Sequence, residues 1–167
     1  MTLATHIVIA EALAKPMIGI ANPGLGFLFG MFTHYLADAI PHYDYHLGTA
    51  KQERAEVLHI ELHPTSRNIA KDLLKITFDV AVGTAAGILV VRPELSFSGL
   101  LPYAAVAIGA ILPDALQSVY WFWRKTPVKE LKEFHDVWHA KTRLKWDLVG
   151  LGSQALVFAF SILLLSR

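Results

Sequence analysis

The chain has 167 residues, 54% of them hydrophobic and only 17% charged, with a mean hydropathy of +0.42. An ordinary soluble domain carries about 25% charged residues, so this chain has too little polar surface to sit in water, and disorder is excluded as well. A net charge of +1 provides no field to hold a nucleic acid, and the absence of cysteine removes disulfides, Cys–zinc sites and Cys nucleophiles.

Uncharged runs dominate the chain from end to end. About 20 apolar residues cross a hydrocarbon core about 30 Å thick. Residues 2–21 make a weak first segment, interrupted by His6, Glu11, Lys15 and Pro16, and read as a kinked or half-inserted helix. Stronger spans are expected at 24–40, 73–91, 98–121 and 146–166. The predicted fold is therefore all-α: one polytopic membrane bundle over 1–167, with four to five transmembrane helices. A soluble helical domain is the alternative. No basic stretch precedes the first apolar run, so a signal peptide is not expected. The polar segments 42–71 and 122–145 are rich in Glu, Lys and Leu and read as helical loops. Pro64-Thr65-Ser66 breaks the first of them; in the second, Thr126 is expected as a helix cap, with Pro127 in the first turn. The pairs Gly26/Gly30, Gly83/Gly87 and Ala105/Gly109 have the spacing that lets helices approach closely in lipid.

With five spans and the N-terminus on side one, twelve of the fifteen Lys and Arg lie on that side, within 51–75 and 124–145. The other three are Lys15, Arg92 and Arg167. The positive-inside rule makes side one cytoplasmic, and all four Trp lie near it.

The candidate ligands gather on the same side. They are His6 at the start of the first segment, His34 and Asp38 near the end of the second, Asp79 early in the third, Asp114 near the end of the fourth, and His135 and His139 in the following loop. A carboxylate within a membrane span costs about 2.5–3.5 kcal/mol on insertion scales, so Asp38, Asp79 and Asp114 at similar depth point to a shared cation. His34 and Asp38 are four apart and face the same way on a helix. Pro41, His42 and Asp44 follow at once. Pro113 beside Asp114 is expected to break its helix and free backbone carbonyls. His135/His139 and His59/His63 repeat the four-residue spacing. Each group also has a plainer reading. His6 could sit at an interface, His34/Asp38 could be a helix-end ion pair, and Asp114 could cap a restarting helix. Asp79 could pair with Lys75, and Glu11 with Lys15. His42 and Asp44 could form a turn, His135/His139 a solvated face, and His59/His63 a segment lying on the membrane surface.

The strings HYLADAIPHYDYH and GAILPDA resemble motifs of the YdjM-like family of membrane-bound metal-dependent hydrolases and, more distantly, of zinc-dependent phospholipases C. Thr5-His6 matches the family's opening Thr-His. Asp38, Pro41, His42 and Asp44 match its following Pro-Asp-x-Asp-His string loosely. His34, Asp38, Pro41 and His42 fit the phospholipase order with shorter spacing. The likeness covers mainly residues 1–46, and HIELHPTSR at 59–67 departs from the family's His-Arg-x-x-Thr-His-Ser string. The resemblance implies hydrolysis rather than other metal chemistry.

Together these readings predict a membrane-embedded, metal-dependent hydrolase of a phosphoester or ester on a lipid-like substrate. Its site would lie on the cytoplasmic side of a prokaryotic inner membrane. The expected ligands are His34, Asp38, Asp114 and His139, then His6, His42 and His135, with Asp79 as ligand, orienting partner or catalytic base. Imidazole and carboxylate donors favour zinc, with manganese or iron next. A metal or proton transporter and a non-catalytic membrane scaffold are the rival functions.

Overall fold

Capping chemistry sets where the helices begin in the computed structural model, which describes residues 1–18, 22–42, 47–52, 60–62, 65–139 and 148–165. The helices are α1 (Leu3–Ile18), α2 (Pro23–Asp38), α3 (Ser66–Val91), α4 (Phe97–Phe122), α5 (Val128–Trp138) and α6 (Leu148–Leu165). The Asn22 side chain accepts from Gly24 N and Leu25 N at 2.9 and 3.2 Å, with Pro23 in the first turn of α2. Thr65 caps α3 by accepting from Asn68 N, and Ser96 caps α4 by accepting from Gly99 N. These side chains satisfy amide donors that have no intrahelical partner. The start of α5 differs from expectation. Pro127 itself occupies the cap position, and the Thr126 hydroxyl donates to Glu130 Oε1 at 2.8 Å instead of accepting from the backbone.

The segment 42–71 also differs from a helical loop. Ala50–Gln52 (β1) and Ile60–Leu62 (β2) pair antiparallel, with Lys51 opposite Glu61. Helix formers yield here to backbone pairing between strands and to an anchor outside the loop. Asp72, in the second turn of α3, accepts from Gly48 N, Thr49 N and the Thr49 hydroxyl at 2.7–2.8 Å.

Helices α3 and α4 have 26 residues each and are long and apolar enough to cross a membrane; at 1.5 Å per residue each is about 39 Å long. Among the described residues these are the two such helices, fewer than the four to five spans expected. The 16 residues of α2 reach only about 24 Å.

The weakest predicted span turns out to be the centre of the bundle. Helix α1 packs against α2, α3, α4 and α6, and Ile7, Val8, Ile9, Ala10, Ala12 and Ala14 are all buried. Of the residues that interrupt its apolar pattern, His6 and Glu11 are buried against protein, whereas Lys15 and Pro16 are exposed near its end. Small residues make the close packing possible. A methyl at Gly30 would strike the Val106 carbonyl, and one at Gly109 the Phe27 carbonyl, so α2 and α4 touch backbone to backbone. Gly83 receives Ala4, and Gly87 leaves the notch that holds the Glu11 carboxylate. The expected Glu11–Lys15 pair is not formed; Lys15 Nζ donates to the Val91 carbonyl at 2.7 Å. The outward faces are apolar instead, with Phe78, Leu89, Phe97, Leu156 and Phe160 all exposed.

Candidate metal centre

At one end of the bundle, four elements bring histidines and acids together around Asp38. His34 and Asp38 share one face of α2 in its last turns. His6 arrives from the start of α1, Asp114 from α4, and His135 from α5, which packs against α2 and α4. The residues of α5 that turn inward are Val128, Lys132 and His135, at helical spacing. Lys132 pairs with Asp136 and lies 5.6 Å from the Tyr120 ring centre, which seats α5 on α4.

The two oxygens of Asp38 serve different partners. Oδ2 lies 3.1 Å from His34 Nε2 and 3.1 Å from His135 Nε2. Oδ1 lies 3.1 Å from His6 Nε2, 3.6 Å from His42 Nε2 and 3.4 Å from the Met1 amine. Asp114 Oδ1 completes the first side, 3.9 Å from His34 Nε2 and 3.6 Å from His135 Nε2. The donor atoms of His34, Asp38, Asp114 and His135 lie within 4.8 Å of one another, as do those of Asp38, His42 and His139.

Protonation follows from the neighbours. His34 Nδ1 is 2.7 Å from the Ala110 carbonyl. A carbonyl only accepts, so Nδ1 carries the hydrogen and Nε2 is left bare, 3.1 Å from both His135 Nε2 and Asp38 Oδ2. His42 repeats the arrangement, with Nδ1 2.6 Å from the Ile40 carbonyl. Two acceptors facing each other need a proton or a cation between them. In addition, His6 Nδ1, His6 Nε2 and Asp38 Oδ2 are buried without a hydrogen bond among the described residues. Such atoms cost about 1–3 kcal/mol each unless something satisfies them. Imidazoles with their other nitrogen bonded to backbone carbonyls are the usual setting of metal ligands. This buried His/Asp group can hold a metal ion.

Access is uneven. The side chains of His34 and Asp38 are 0% and 1% exposed, whereas Asp114 is 29% exposed, so the cluster meets its surroundings through Asp114. Behind the donors, the Tyr35 ring packs edge-on to His34, and the His6 ring stacks on His34 with centres 4.2 Å apart. The Gln117 amide rests on the His135 ring, Nε2 being 2.5 Å from Nδ1.

Other expected residues lie elsewhere. Asp79 is not among the converging donors. Its Oδ2 accepts from Leu3 N at 2.7 Å, so it caps α1 three residues before His6 instead of pairing with Lys75; Lys75 is 4.0 Å from Asp72. Asp114 does not cap a restarted helix, because α4 runs unbroken through Pro113. His139 ends α5, its ring 4.9 Å from His42 and 5.5 Å from His135. Asp44, His59 and His63 lie outside the described residues.

Two supporting groups were not singled out from the sequence. Gln117 stands three residues after Asp114, a spacing that places it on the same helix face. The Ala110 carbonyl lies in the turn before Pro113, whose missing N–H leaves the neighbouring Gly109 carbonyl without its helical donor. Set against family models, curated proteins and solved structures, the chain matches none at a significant level.

Proposed function

We propose that the chain is a polytopic membrane protein whose buried His/Asp centre carries out metal-dependent hydrolysis of a phosphoester or ester on an amphiphilic substrate. The observation that carries this reading is the convergence of His34, Asp38, Asp114 and His135, with one member, Asp114, left open to an incoming molecule. A centre that served only to hold the fold together would be closed on every side. The resemblance of HYLADAIPHYDYH and GAILPDA to YdjM-like hydrolase motifs supports the same class.

The membrane assignment rests on surface chemistry. Soluble monomers rarely show contiguous apolar patches beyond a few hundred Å², whereas α3, α4 and α6 all turn large apolar side chains outward. Helices α1 and α2 complete five crossings in this reading, and the excess of Lys and Arg on side one puts the centre at the cytoplasmic end of a prokaryotic inner membrane. The donor set favours zinc over calcium.

When bound, a divalent cation acidifies a bound water and polarises an ester or phosphoryl oxygen. The chain's own groups hold and aim it. His34 and His135 present Nε2, Asp38 and Asp114 supply negative charge, and the Ala110 carbonyl locks the His34 ring. Asp79 acts at one remove: by fixing the first turn of α1 it positions His6. The burial of His34 and Asp38 keeps bulk water out and leaves Asp114 at the mouth.

Asp114→Asn tests the assignment, since it keeps the shape and removes the charge. Metal content and hydrolysis of a chromogenic phosphoester are expected to fall together by about 10-fold or more, because even groups behind a ligand cost that much. Full metal content and full activity in the variant would remove Asp114 from the centre. Metal in the unaltered protein without hydrolysis of any ester would favour a scaffold.

A further inference from the structure

We propose that the centre holds two metal ions, bridged by the carboxylate of Asp38. This deepens the proposed function and rests on its metal-binding reading. The starting point is the division of labour between the two Asp38 oxygens. His34 and His135 approach Oδ2, each at 3.1 Å. His6 and His42 approach Oδ1, at 3.1 and 3.6 Å. An ion held among His34, His135, Asp114 and Oδ2 uses only one oxygen of Asp38. It leaves Oδ1 facing a second set of imidazoles.

That second set is built like the first. On the Oδ2 side, His34 gives its Nδ1 hydrogen to the Ala110 carbonyl; on the Oδ1 side, His42 gives its Nδ1 hydrogen to the Ile40 carbonyl. Both rings thereby keep Nε2 bare, as a ligating histidine requires, with Nε2 3.1 Å from Asp38 Oδ2 for His34 and 3.6 Å from Oδ1 for His42. His6 adds an independent sign. Both of its ring nitrogens are buried and lack a hydrogen bond among the described residues, and its Nε2 lies 3.1 Å from Oδ1. The donor atoms of Asp38, His42 and His139 already lie within 4.8 Å of one another. The first ion would take His34, His135, Asp114 and Oδ2; the second would take His42, His139 and Oδ1, with His6 beside them.

Bridged pairs of this type hold their ions about 3.5–4 Å apart and clamp the entering and leaving oxygens of a displacement at phosphorus. Two dications also outweigh the charge of Asp38 and Asp114. The positive excess suits an anionic phosphoester better than a neutral ester, which narrows the substrate class.

The test uses the full chain purified in detergent, stripped with a chelator and reloaded with Zn²⁺ or Mn²⁺ alone. Mass spectrometry is expected to count two ions per chain in the unaltered protein. His42→Ala should lower the count twofold, to one, while the protein keeps its elution volume. With Mn²⁺, the electron paramagnetic resonance spectrum should show the multiline pattern of an exchange-coupled pair, which depends on no variant. One ion per chain in the unaltered protein, or two without exchange coupling, overturns the bridged pair and leaves the single-metal reading standing. No ion at all overturns both.

Discussion

Helices α1 and α3 touch along much of their length, yet they are opposite kinds of element. Helix α1 has 16 residues and carries His6, Glu11 and Lys15, but most of its surface is covered by protein. Helix α3 has 26 residues, no charged group after Asp79, and an outer face on which Phe78 is 69% and Leu89 74% exposed. Polar groups of α1 such as His6 and Glu11 are buried among apolar ones, while large apolar side chains of α3 are exposed. If the bundle lies in lipid, as proposed, no hydrophobic force drives its helices together, and close packing and polar contacts must do it. The seam between α1 and α3 shows both means. Gly83 and Gly87 admit Ala4 and Glu11, while Asp79 and Lys15 tie the two ends through backbone groups of the opposite helix.

If α1 is the core and the outer face of α3 is not, equal truncations should have unequal effects. Ile7→Ala removes a fully buried side chain and is expected to cost about 2–5 kcal/mol. Phe78→Ala removes more atoms but from an exposed position, and should stay within about 0.5 kcal/mol. Thermal unfolding of the two variants in detergent measures the difference. Equal losses would mean that the Phe78 face is covered by a partner and that the contrast between the helices is only apparent.

A charge on that face separates lipid from water as its surroundings. Phe78→Asp should reduce insertion by about 2.5–3.5 kcal/mol if α3 crosses a bilayer, seen as a loss of protein from the membrane fraction. A rise in soluble, monodisperse protein would instead mean that α3 faces water, and the membrane reading would fail.

The legibility of the molecule follows the same division. The helices can be located from the sequence because length and lack of charge are local properties; the predicted 98–121 segment lies within the observed Phe97–Phe122. His34 and Asp38 can be paired because helical spacing alone puts them on one face, and Asp114 stands out as the lone charge in its helix. The central place of α1 is not legible, since what compensates its polar side chains comes from partners far away in sequence: Val91 for Lys15, Gly87 for Glu11 and Asp38 for His6. The task of Asp79 is hidden for the same reason, its partner Leu3 being 76 residues distant. The pairing of Ala50–Gln52 with Ile60–Leu62 escapes a reading by helix propensity because it rests on contacts between strands and lies near the backbone that Asp72 anchors at Gly48 and Thr49.

The smallest expected effect lies at the far end of the α1–α3 seam. Helix α3 ends where Arg92 turns into the left-handed region, φ 51°, with its N–H bonded to the Ile88 carbonyl. The last carbonyls of a helix have no intrahelical donors and carry its negative dipole end. Lys15 supplies one of them, its ammonium donating to the Val91 carbonyl. Lys15→Met keeps the length and the apolar stem but removes the donor and the charge. At a site this exposed the loss should be about 0.3–1 kcal/mol and should shrink as salt is added. The mirror substitution is Lys75→Met on α3, where the ammonium is half-exposed and 4.0 Å from Asp72; there the loss should be smaller still. Melting curves of both variants at low and high salt make the comparison. If Lys15→Met proved salt-independent and cost several kcal/mol, Lys15 would be serving the interior of the bundle and not its end, and the seam would owe more to charge than to its glycine notches.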